Sequence, residues 1–84
     1  MDAFEALADP TRRRILEMLA ERELAAGEIA RRFDMTPPAV SQHLKILRNA
    51  DLVGVRNEAQ RRMYALEPQG IAEVETWLTR YKRR

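Results

Sequence analysis

Two short apolar-patterned stretches meet at Asp34-Met35-Thr36-Pro37-Pro38, and this junction constrains the fold more than any other part of the chain. Proline has no backbone N–H and a fixed φ, so it breaks a helix interior but suits a first turn. A helix must therefore end before Pro37 and another must begin there. Thr36 is a good N-cap for the new helix. A residue before proline avoids the α region, and Pro37 precedes Pro38, so the helix begins at either one. It runs to about Asn49, where Ala50-Asp51 makes a closing turn. Upstream, a helix is expected from about Ala26 to Phe33, with Ile29, Ala30 and Phe33 inward and Ala25 as a poor N-cap. The result is helix, tight turn, helix.

The flanking segments complete a pattern. Residues 2–8 suit a short helix with Phe4 and Leu7 on one face. Asp9 can cap, and Pro10 can open, a second helix to about Ala20, with Ile15, Leu16 and Leu19 as its stripe. Glu23-Leu24 reads as a short link. Residues 52–56 (LVGVR) and 61–66 (RRMYAL) are β-like on either side of the gap NEAQ, which predicts a hairpin. The gap lacks Asn-Gly or Asp-Gly, so its turn type stays open. Pro68 opens a last helix from about Gln69 to Lys82. The predicted fold is mostly α with a small β-hairpin, a winged helix-turn-helix (α-α-α-α-β-β-α), as one domain over 1–84.

A domain of 84 residues buries only roughly 60–65% of its unfolded surface, so its own core is thin. Phe4, Leu7, Ile71, Val74, Trp77, Leu78 and Tyr81 are more apolar surface than terminal helices need. They either complete the core or join a second copy. We read shared duty, and expect a homodimer through the terminal helices.

The chain has no cysteine, which excludes a disulfide framework and a thiolate metal site and suits the cytosol. No apolar run approaches a membrane span, and the start, MDAFEALADPTRRR, does not read as a signal peptide. Net charge is only +2, but its distribution is uneven. No carboxylate lies between Asp34 and Asp51, where Lys45 and Arg48 sit. Arg56, Arg61 and Arg62 follow, and the segment from Glu67 to Thr79 is acidic again. The middle of the chain is the part suited to a polyanion.

On a helical wheel, Val40, Leu44 and Leu47 fall within about 60° of one another. Pro38, Gln42, Lys45 and Asn49 lie opposite, with Ser41 and Arg48 beside them. Taken alone, a polar face is most simply a solvated one. The preceding turn, the basic hairpin and the absence of acid reverse that reading. Gln and Asn can pair with adenine in the major groove, Lys can reach guanine or phosphate, and Ser can reach either. The expected DNA contacts are Thr36, Pro38, Ala39, Ser41, Gln42, Lys45 and Arg48 on the helix, with Arg56, Arg61 and Arg62 on the wing. His43, the only histidine, lies on the shoulder of the buried stripe. We expect it half-buried and bonded locally, with an outer edge free to reach a phosphate. A single histidine without cysteine is a poor start for a metal site, and no nucleophile–base set suggests catalysis.

With those residues in place, the chain resembles the ArsR/SmtB-type winged-helix repressors over nearly its whole length. The resemblance is carried by ALADPTRRRILEML (6–19), AAGEIARRFDMTPPAVSQHLKILRNADLV (25–53) and RRMYAL (61–66). LADPTRRRIL and AGEIA are most similar to the SdpR-like branch, whose members are not metal sensors. Thiolate sensors of the family carry Cys-Val-Cys before an acid, where this chain has Ala25-Ala26-Gly27 before Glu28. Zinc sensors place Asp and His on the last helix, where this chain has Glu73, Glu75 and no His. Ala59-Gln60 stand where a glycine is common in the wing.

The resemblance implies a cytoplasmic, nucleoid-associated homodimeric repressor on a near-palindromic double-stranded operator, with no cofactor, no metal and no membrane partner. The alternative is a winged-helix adaptor that has lost specific DNA binding, against which the acid-free face argues. An enzyme is not expected, and no residue points to a particular small-molecule effector.

Overall fold

The computed structural model describes residues 2–82, so positions 1, 83 and 84 of the expected domain lie outside the described residues. The chain begins with α1 (Ala3–Leu7) and α2 (Pro10–Glu21). Both start as their caps dictate. Asp2 and Glu5 form a reciprocal capping box on α1, and Asp9 accepts the Arg12 N–H at 3.0 Å with Pro10 next to it. A turn of five residues is marginal alone. Arg12 Nε donates to the Ala6 carbonyl at 2.7 Å, its Nη2 donates to the Glu5 carbonyl at 3.2 Å, and Arg13 donates to the Leu7 carbonyl at 2.6 Å. Side chains of α2 thus satisfy the orphan carbonyls at the end of α1.

The short link at Glu23-Leu24 is a correction to the sequence reading. Leu24–Ala25 form a strand, β1, antiparallel to the later wing strand. α3 (Ala26–Phe33) follows. Ala25 has no side chain to cap it, yet its own N–H donates to Glu28 at 2.9 Å, giving half of a capping box. Asp34 closes α3 in the left-handed region, φ 53°, which a short polar side chain tolerates. Thr36 accepts the Ala39 N–H at 3.3 Å and α4 starts at Pro37, spanning Pro37–Asn49.

The wing is β2 (Val53–Glu58) and β3 (Arg61–Leu66), and with β1 it makes a three-stranded sheet in the order β1-β3-β2. The hairpin is tighter than expected. Asn57 pairs with Arg62 and Glu58 with Arg61, so the turn is only Ala59-Gln60, and Ala59 holds φ 55° without being glycine. α5 (Pro68–Lys82) closes the chain.

Ile15, Leu24, Ile29, Val40, Leu44, Leu47 and Leu52 are essentially fully buried. Each such side chain contributes roughly 1.5–3 kcal/mol. The core thus sits between α2, α3, α4 and the sheet, and it fixes the side of α4 that faces out. Leu7 and Val74 pack half-buried against it. Phe4, Ile71, Trp77, Leu78 and Tyr81 do not, and remain 39–51% exposed. Phe4 meets Trp77 edge-on with centroids 5.5 Å apart, and Trp77 meets Tyr81 at 4.9 Å. No helix among the described residues is long and apolar enough to cross a membrane.

Candidate nucleic-acid interface

Burial of Val40, Leu44 and Leu47 turns the opposite side of α4 to solvent. Thr36, Pro38, Ser41, Gln42, Lys45, Arg48 and Asn49 are exposed there, and Ala39 is half-buried. Ser41, Lys45, Arg48 and Asn49 share one groove with Arg62 and Tyr64 of β3. Helix and wing therefore present cations to the same trough. No carboxylate lines it.

The register sorts the three wing arginines. Residues opposite each other in a ladder share a face, and successive residues alternate. Leu24, Val53 and Tyr64 are buried on the core side, and that face continues to Asn57 and Arg62 at the tip. Arg62 lies over the Tyr64 ring, 5.8 Å from its centroid, and has no carboxylate partner among the described residues. Arg56, Glu58 and Arg61 occupy the other face. There Arg56 pairs with Glu23 at 2.5 Å and Glu58 at 2.8 Å, and Arg61 pairs with Glu28 at 2.7 Å. The Arg56 hydrogen bond holds Glu23 below the usual carboxylate range and raises the guanidinium of Arg56 in turn. Glu28 is also held low, first by the Ala25 N–H and then by the charge of Arg61. Asn49 and Asn57 belong to the α4 side of this surface. From sequence, Asn49 falls on this helical face but is not among the expected contacts, and Asn57 reads as loop.

His43 is half-buried, as expected, and its Nδ1 lies 3.5 Å from Arg12 Nη1. Arg14 stacks over Phe33 at 5.1 Å. The run Arg12-Arg13-Arg14 is thus internal bracing and not part of the groove. Among the described residues no cluster of three or more His, Cys, Asp or Glu is placed to hold a metal ion.

A helix-turn-helix whose second helix is bare of acid, flanked by a basic two-stranded wing, defines the winged helix-turn-helix regulators. The profile of the bacterial regulatory proteins of the arsR family matches residues 9–55, more than half of the chain. This chain belongs to the ArsR family of DNA-binding transcription regulators, and it is not an enzyme. It is 51% identical over 82 residues to the HTH-type transcriptional regulator Rv2034 of Mycobacterium tuberculosis, covering 98% of this chain and 77% of that one. It is 32% identical over 80 residues to the transcriptional repressor SdpR of Bacillus subtilis, covering 95% of this chain and 89% of that one. Among solved structures, the homodimeric winged helix-turn-helix DNA-binding domain of a possible ArsR-family regulator from Mycobacterium bovis superposes with a TM-score of 0.78 at 28% identity. That match covers 96% of this chain and 75% of that one.

Proposed function

We propose that the chain works as a homodimeric, metal-independent repressor that occupies a near-palindromic operator in the bacterial cytoplasm. The observation that carries the proposal is the single groove in which Ser41, Lys45 and Arg48 of α4 meet Arg62 of the wing. In this reading α4 lies in the major groove. Gln42 and Ser41 read base edges, with Thr36, Pro38 and Ala39 at the entry of the helix. Lys45, Arg48 and Arg62 hold phosphates.

Dimerisation is supported by the exposed strip of Phe4, Ile71, Trp77, Leu78 and Tyr81 on α1 and α5, away from the groove. The homodimeric M. bovis domain supports it too. The repressor role is supported by the likeness to SdpR over almost the full chain. Metal independence is supported by the absence of cysteine and by the single histidine facing a guanidinium, which would repel a metal ion.

Selection of bound sequences from a random duplex pool should enrich a motif with two-fold symmetry. A reporter carrying that motif across its promoter should fall in expression when the chain is produced. Stoichiometric zinc should leave binding intact. Enrichment of no sequence above background would favour the adaptor reading, and a rise in reporter output would replace repression by activation.

A further inference from the structure

The outer face of the wing carries a charge network that the groove does not use. Glu28 Oε1 accepts two donors at once, the backbone N–H of Ala25 at 2.9 Å and Arg61 Nη2 at 2.7 Å. One oxygen therefore ties the first turn of α3 to the first residue of β3. Arg61 is next to the two-residue turn and opposite Glu58, so the tie grips the wing near its tip. Arg56 adds a second tie, bridging Glu23 before β1 to Glu58 on its own strand.

We propose that Arg61 and Glu28 are positioning residues for DNA binding, latching the wing tip to α3 so that Arg62 stays in the α4 groove, and that neither Arg61 nor Arg56 is a phosphate contact. The proposal rests on the reading of α4 and Arg62 as the DNA surface. Residues 56–62 are all exposed, so no core packing orients the tip. Exposed ion pairs contribute little to global stability beside a buried core. They matter at the end of a two-stranded ribbon, where the tip is otherwise held by the ladder and by Arg62 lying over the Tyr64 ring. The pairing agrees. Arg56 and Arg61 would each have to leave a carboxylate to reach a phosphate, whereas Arg62 has no carboxylate partner among the described residues to leave.

The test is the salt dependence of binding for the full chain, on a selected site and on random duplex. Arg62→Ala should lower the slope of log affinity against log salt by about 1.8, two phosphate contacts at about 0.9 each, because both subunits of the dimer lose one. Arg61→Ala should change that slope by less than a third as much, while weakening the selected site about two- to fivefold. Arg61→Gln keeps a donor for Glu28 without the charge, and should restore most of that loss. If Arg61→Ala and Arg61→Gln both lower the slope as far as Arg62→Ala does, Arg61 holds a phosphate and the latch is wrong. Wild-type affinity and slope in Arg61→Ala would also overturn it. A slope untouched by Arg62→Ala and by Lys45→Ala alike would remove the underlying DNA surface instead.

Discussion

The Gly70 N–H donates to the Asp51 carbonyl at 2.8 Å, and a β-carbon on Gly70 would lie 2.5 Å from that same oxygen. The start of α5 is thus pressed against the end of α4, with the Ala50 carbonyl only 2.7 Å from the same point. No side chain fits there, and backbone cannot swing aside as a flexible side chain can. Gly70→Ala should therefore destabilise the fold by about 1–3 kcal/mol, despite the better helix propensity of alanine. Urea denaturation measures this, and an unchanged or higher midpoint would contradict the contact.

Leu78→Glu tests the apolar strip. Leu78 is 46% exposed in the single chain and lies on the same side of α5 as Ile71 and Val74. A lone charge in a dimer contact costs about 3–5 kcal/mol. Sedimentation should show the wild type at twice the chain mass and the variant at the chain mass or unfolded. The only tryptophan, Trp77, sits in this strip and offers a second probe. Its emission should shift to the red on dilution of the wild type. A wild type that sediments as a monomer at working concentration would defeat the dimer.

Gln42→Ala should relax preference at one base pair per half-site, costing about 1–3 kcal/mol for each half-site and little on random duplex. Equal losses on both would mean that α4 only holds the backbone.

Two α4 helices in a two-fold dimer must enter successive major grooves, about 34 Å apart on one side of the duplex. Inserting about 5 base pairs between half-sites puts them on opposite sides and should abolish specific binding. Tolerance of that insertion in a gel-shift titration would indicate independently bound monomers.

Acid should loosen the wing and the start of α2. Asp9, Glu23 and Glu28 all titrate below their ordinary range. The Arg12 N–H lowers Asp9, the Arg56 hydrogen bond lowers Glu23, and the Ala25 N–H lowers Glu28. Folded values below unfolded ones mean stability that is fully present above the ordinary carboxylate range and lost as pH falls through the folded values. The denaturation midpoint should hold steady from neutrality down to that range and then drop. In Glu23→Gln/Glu28→Gln the drop should be shallower, and an identical acid profile would show that these pairs add nothing.

Much of this architecture can be read from short-range patterns. The caps at Asp9 and Thr36 and the Val40–Leu44–Leu47 stripe are local, and they place α2 and α4 nearly to the residue. β1 is not local. Two residues cannot display alternation, and the partners of Leu24 and Ala25 are Tyr64 and Met63, far along the chain. The wing's faces were hidden for a different reason. Met63 and Tyr64 are adjacent and both apolar, so alternation alone does not say which one points inward. Without that, Arg61 and Arg62 look equivalent. The ladder separates them, sending one to Glu28 and the other to the groove. Asn57 and Glu58 read as loop because polar residues carry weak strand preference, yet the ladder runs through both.

Arg12 spends its guanidinium in three directions, on the Glu5 and Ala6 carbonyls at the end of α1 and on the ring of His43 in α4. One half-buried side chain therefore stands between the helix that would meet a partner subunit and the helix that would meet an operator. In a random-mutagenesis selection for loss of control, Arg12 should be recovered alongside true contact residues although it touches neither partner. Its alleles should lose subunit association and operator affinity together, and should also weaken binding of a single chain to one half-site, which a substitution confined to the dimer strip would leave intact.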